Sequence, residues 1–130
     1  MTQFLHLTDA RWDALMNGEK TDTIRLDEGW IEPGFLVYES YPSMSKRTVV
    51  LVEFVRPAVP LEMVLDLTND HQRRPDRETL LARMRVHYPD ITLDTKVDYI
   101  RHLTPDETAR LHADSVLSVL QRYLKESPRD

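Results

Sequence analysis

The chain has 130 residues, 41% of them hydrophobic and 30% charged, with a formal net charge of −5 and no cysteine. This composition excludes a disordered tail, a disulfide scaffold, a thiolate metal site and a surface that is basic throughout. No apolar run approaches the roughly 18 residues of a membrane span, and "MTQFLHLTDARW" lacks the charged and apolar regions of a secretory signal; one cytoplasmic domain is expected.

The first expected element is a short strand at "FLHL". Thr8 stands where an N-cap belongs, with Asp9 in the first turn, which predicts a helix over 9–17 with Trp12, Leu15 and Met16 on its apolar face. Asn17-Gly18 stops it, since both residues tolerate the left-handed conformation of a helix end. "KTDTIRL" is rich in β-branched residues and predicts a strand. Thr21, Thr23 and Arg25 would share one face of it, and Lys20, Asp22 and Ile24 the other.

Pro33-Gly34 predicts a turn, and "FLVYESY" and "RTVVLVEFV" two longer strands, the second apolar enough to lie centrally and ended by Pro57 and Pro60. "LEMVLDL" reads as a short helix and "NDHQRRPD" as a polar loop. Asp76 caps a further helix carrying Leu80, Leu81 and Met84, which ends near "HYPD". "KVDYIRHL" alternates as a closing strand. "TPDE" at 104–107 is a capping box with proline in the first turn, and the helix behind it should bury Ala109, Ala113, Val116, Leu117, Leu120 and Leu124 as one stripe.

About five strands and three or four helices, not strictly alternating, predict an α+β fold whose mostly antiparallel sheet curls into a small β-barrel. The expected organisation is a barrel domain over 1–103, an amphipathic C-terminal helix over 104–126 packed on it, and a tail at 127–130. That helix could instead pair with a second copy, so monomer and homodimer both stay open.

The octet "GEKTDTIR" at 18–25, after an amphipathic helix and before an acidic turn and "PG", resembles the signature of ASCH-domain proteins of the PUA-like superfamily. The resemblance spans roughly residues 4–101. It implies a PUA-like barrel with flanking helices, the C-terminal helix being an addition, and a cleft that accepts RNA or a modified nucleoside. In size and motif the chain is similar to the small N4-acetylcytidine amidohydrolases. That branch implies Lys20 as proton acceptor and Thr23 as nucleophile, with a later glutamate as proton donor. The chain departs from the pattern twice. The family's Gly-Asp reads Gly34-Phe35, and the glutamate position falls at Arg73 or Arg74, leaving Asp70, Asp76 or Glu62 as substitute acids.

Each candidate has a chemical and a structural reading. Lys20 acts as a base only if burial or a neighbouring cation lowers its pKa; otherwise it complements a helix end. The Thr23 hydroxyl needs a base within reach, and threonine also suits any strand. Arg25 offers a planar fork to an anion or base edge, or pairs with Asp27 or Glu28. Thr21 would line the same cleft, and Trp30 could stack on a base or close over the barrel rim. Arg73 and Arg74, with His71 and Arg77, could follow phosphates or form a solvated face. The five histidines show no metal-ligand spacing, so neither metal nor cofactor is expected. Two functions stand side by side: hydrolysis of an N-acyl group on a cytidine, and a non-catalytic RNA-binding or regulatory module. Protein–protein adaptation through the C-terminal helix is a third.

Overall fold

A computed structural model describes residues 2–67 and 76–126. In chain order these form β1 (Gln3–Thr8), a 3-10 turn (Asp9–Arg11), α1 (Trp12–Met16), β2 (Asp22–Arg25), β3 (Gly34–Tyr41), β4 (Arg47–Pro60), α2 (Leu61–Leu67), α3 (Arg77–Arg85), β5 (Lys96–His102) and α4 (Pro105–Glu126). The hydrogen-bonded strand order is β1-β3-β4-β5-β2. Strands and helices do not alternate regularly, and the α+β expectation holds at that level.

The chain forms two compact units. One comprises Met1–Thr21, Pro33–Glu53 and His102–Asp130; the other comprises Asp22–Glu32 and Phe54–Arg101. The long strand β4 contributes its first half to one and its second half to the other.

In the first unit β1 runs parallel to β3, and β3 antiparallel to β4. Register aligns Leu5 with Tyr38 and Leu36 with Val50. Strand alternation therefore gathers Leu5, Leu7, Leu36, Tyr38, Val50 and Val52 on one buried face, where each large apolar side chain contributes about 1.5–3 kcal/mol. Trp12 and Leu15 of α1 are buried as well, whereas Met16 is exposed. Thr8 does not cap with its side chain. The chain enters through the 3-10 turn, and α1 starts only at Trp12. Gly18 adopts φ +85°, and a Cβ there would stand 3.3 Å from Thr104 Cγ2, so both its backbone and its surroundings select glycine. The Gly18 N–H bonds to the Leu15 carbonyl at 3.3 Å, ending α1 as its Asn-Gly pair predicts.

The capping box of α4 forms as expected. The Glu107 N–H donates to Thr104 Oγ1 at 3.0 Å, and the Thr104 N–H to Glu107 Oε1 at 3.3 Å. Thr108 is buried and its hydroxyl oxygen accepts from the Leu51 N–H at 3.0 Å. The expected apolar stripe is not buried: Ala109 and Ala113 are exposed, as are Val116, Leu117 and Leu120. Sequence periodicity locates a stripe but not what covers it; the Leu124 side chain lies outside the described residues.

In the second unit β2 runs antiparallel to β5. Leu61, Val64, Leu65, Leu80, Met84, Ile91, Val97 and Tyr99 form its core, and Ile24, Phe54 and Tyr88 pack against it. Asp76 caps α3 by accepting from the Thr79 N–H at 2.7 Å, the usual device for an unpaired first-turn donor. Pro57 does not end β4, which continues to Pro60. The break expected at Pro57 is bridged at Ala58. That residue, at φ +53°, sends its N–H to Asp98 Oδ1 at 3.1 Å instead of to a ladder carbonyl.

Candidate functional site

β2 is short, and its alternation sorts its four residues cleanly. Opposite partners in an antiparallel pair share a face, and the register sets Asp22 against Arg101, Thr23 against Ile100, Ile24 against Tyr99 and Arg25 against Asp98. Asp22 and Ile24 therefore lie on the core side. There the Tyr99 hydroxyl donates to Asp22 Oδ2 at 3.0 Å, and burial, then the Asp22 charge, pushes the phenol up to about 12. Arg101 lies over the rings of Phe54 and Tyr99, at 5.4 Å and 5.8 Å from their centroids, and donates to the Leu67 carbonyl. Both ring contacts are within cation–π range. These groups hold β2 in place.

Thr23 and Arg25 occupy the other face. Thr23 is only 5% exposed, and its Oγ1 accepts from Arg25 Nε at 2.9 Å. The Arg25 side chain, 12% exposed, also pairs through one terminal nitrogen with Glu28 Oε1 at 3.6 Å. Tyr88, from the segment after α3, donates its hydroxyl to the same Glu28 oxygen at 2.8 Å and accepts from the Leu26 N–H at 3.4 Å. Burial first, then the bond to Glu28, raises the Tyr88 phenol above its ordinary value, so it remains a neutral donor. Asp27 and Gly29 take positive φ, which turns the chain sharply enough to bring Glu28 back to Arg25. The result is a guanidinium oriented along the strand by a hydroxyl and a carboxylate, itself fixed by a phenol. Such a fork presents its remaining N–H groups in a preset plane.

Of the residues expected at the site, Thr23 and Arg25 are thus brought into direct contact, and Glu28 proves to be the acidic partner of Arg25. Lys20 belongs to the first unit, where its N–H donates to the Ala14 carbonyl at 2.9 Å. Thr21, in the same unit, is exposed and its carbonyl accepts from the His102 N–H at 2.9 Å. Trp30 is 72% exposed and donates from Nε1 to Glu32 at 3.1 Å, so it does not pack as a rim-closing residue. Asp70, Arg73 and Arg74 lie outside the described residues. Asp76 is committed to its helix cap, and the Thr79 N–H bond holds its carboxyl below the ordinary range, which suits it poorly to donating a proton.

Sequence reasoning gave no site role to Tyr88 or Asp98. Asp98 could be found only from the register of β5 against β2, which no local pattern reveals. Among the described residues no group of three or more His, Asp or Glu side chains is placed to hold a metal ion.

No family model matches the chain, and neither does any curated protein. Among solved structures it is similar to the crystal structure of hypothetical protein PH0355, with a TM-score of 0.55 and 15% identity over 80% of this chain and 99% of that one. At that identity the likeness concerns the fold alone.

Proposed function

We propose that the chain is a PUA-like, ASCH-type protein that binds RNA or a modified nucleoside through the segment 18–25, and that it hydrolyses an N-acyl group on a cytidine. The observation that carries this reading is the held Arg25 guanidinium beside the buried Thr23 hydroxyl, 2.9 Å apart. A preoriented fork next to a protected hydroxyl suits a small ligand bearing carbonyl or anionic oxygens. The net charge of −5 also suits a small ligand better than a long polyanion.

In the hydrolytic version the Thr23 oxygen attacks the acyl carbon, Lys20 takes the hydroxyl proton, and a carboxylic acid protonates the departing amine. Water then cleaves the acyl-threonine ester, releasing the acid and restoring the hydroxyl. Because Asp76 is committed to its helix cap, Asp70 is the donor proposed, and Arg73 and Arg74 are proposed as further ligand-binding residues. Thr21 lines the same segment, and the exposed Trp30 ring offers a stacking surface.

A second reading, a non-catalytic binding module, is favoured by one specific contact. The Thr23 oxygen already accepts a hydrogen bond from a cation, which draws density away from a would-be nucleophile. An assay of cytidine release from N4-acetylcytidine separates the two. Turnover that disappears in Lys20→Ala and in Thr23→Val supports hydrolysis. No turnover in the wild type, with retained binding of short RNA that Arg25→Ala abolishes, supports the module. Absence of both activities removes the reading.

A further inference from the structure

We infer that Asp98 is the residue that selects the base: its carboxylate accepts the exocyclic N–H of a cytosine-type edge while Arg25 donates to the ring nitrogen or carbonyl beside it. The inference rests on the nucleoside reading above and assigns that site a preference among pyrimidines.

Three observations lead to it. Asp98 is the register partner of Arg25. The two side chains therefore leave adjacent strands on the same face, with Cβ atoms about 5 Å apart. Arg25 does not turn toward Asp98 to neutralise it, since its guanidinium is drawn along β2 to Thr23 and Glu28. Donor and acceptor thus stand side by side without consuming each other. Finally, Asp98 is itself held. Its Oδ1 accepts the N–H of Ala58, whose φ of +53° is disfavoured for a residue with a Cβ. Oδ2 receives no hydrogen bond from any described residue.

An acceptor next to a donor is complementary to a base edge that presents an N–H next to an acceptor. Cytosine has that order, with its N4 hydrogens beside N3 and O2, and carboxylates accept from cytosine N4. Uracil reverses it, because its O4 would meet the Asp98 carboxylate, acceptor against acceptor. An N4-acylated cytidine keeps one N–H at the same place and fits the same pair.

The competing explanation is that Asp98 only pins the irregular backbone at Ala58. Asp98→Asn separates the two, since the amide oxygen can still accept from Ala58 while the side chain now also donates. Calorimetric titration of the full chain with cytidine and with uridine should show wild type preferring cytidine by about ten- to a hundredfold. In Asp98→Asn the melting temperature should stay near wild type, while the preference falls to about threefold or less or inverts. As a second control, adding Ala58→Gly to Asp98→Ala should recover the melting temperature without recovering the preference. An unchanged cytidine preference in Asp98→Asn, or full recovery of it in the Ala58→Gly double variant, overturns the inference and leaves the nucleoside reading intact. Wild type that binds neither nucleoside overturns that reading, and the inference with it.

Discussion

Arg25 reaches back along its own strand to donate from Nε to the hydroxyl of Thr23, two residues earlier and on the same face. Neither residue is spaced as a helix pair or a turn; the contact exists because an extended chain returns to the same face every second residue. It converts a flexible cation into a fixed one.

Removing the hydroxyl should therefore be felt twice. Thr23→Val keeps volume and strand propensity but deletes the acceptor. Bonds to charged groups contribute about 1.5–3 kcal/mol, and with a partly accessible guanidinium the lower end of that range is expected in chemical denaturation. Binding of any nucleoside or short RNA should weaken as well, because Arg25 loses its orientation. Arg25→Lys should be no substitute, as a point charge cannot present a planar fork.

The first unit carries a second cross-strand arrangement, in which Glu39 lies opposite both His6 and Arg47. Arg47 Nε donates to Glu39 Oε2 at 2.6 Å, and His6 Nε2 stands 3.3 Å from Oε1. The Arg47 hydrogen bond above all holds the Glu39 carboxyl below its ordinary value of 4.5. A folded pKa below the unfolded one makes the native state hold fewer protons. The associated stabilisation is complete above the ordinary carboxylate range and is lost as pH falls through the depressed value. Melting temperature should fall on acidification below about pH 4.5, and Arg47→Met should flatten that dependence relative to wild type.

Tyr38 and His102 form a buried pair whose bond, 3.1 Å from Oη to Nε2, closes with rings 5.4 Å apart and nearly perpendicular. His102 Nδ1 lies 2.7 Å from the Leu103 carbonyl, which requires a proton on Nδ1; in the neutral imidazole Nε2 then accepts from the phenol. Tyr38→Phe removes that donor without opening space. A loss of about 1–3 kcal/mol is expected by urea denaturation from removal of this buried bond.

The exposed stripe of α4 makes a contrary prediction. Leu117 and Leu120 are each about half exposed, so replacing both by lysine should change unfolding free energy by less than about 0.5 kcal/mol per site. Were the stripe buried, as its periodicity suggests, each change would cost several kcal/mol. Thermal and denaturant melts distinguish the two directly.

Much of the local structure was legible in the chain. Gly18, Asp76 and the Thr104–Glu107 box mark ends that depend on φ and on side-chain caps, which are properties of a few neighbouring residues. Thr8 misled because a capping residue before an apolar face is compatible with a 3-10 turn as well as an α-helix. Pro57 misled because a strand survives proline wherever the next N–H finds another acceptor. That acceptor, Asp98, lies 40 residues beyond Ala58 in the chain.

By itself the sequence determined the order of elements, the caps at Asp76 and Thr104, the stop at Gly18, and the alternation that sets Thr23 and Arg25 on one face of β2. Those follow from periods of two and 3.6 residues and from short-range hydrogen bonding. Only the tertiary structure decided that β2 pairs with β5, that Asp98 therefore stands across from Arg25, that Tyr88 fixes Glu28, and that the α4 stripe is left exposed. Register and burial are set by which distant surfaces meet, and no window of neighbouring residues contains that information.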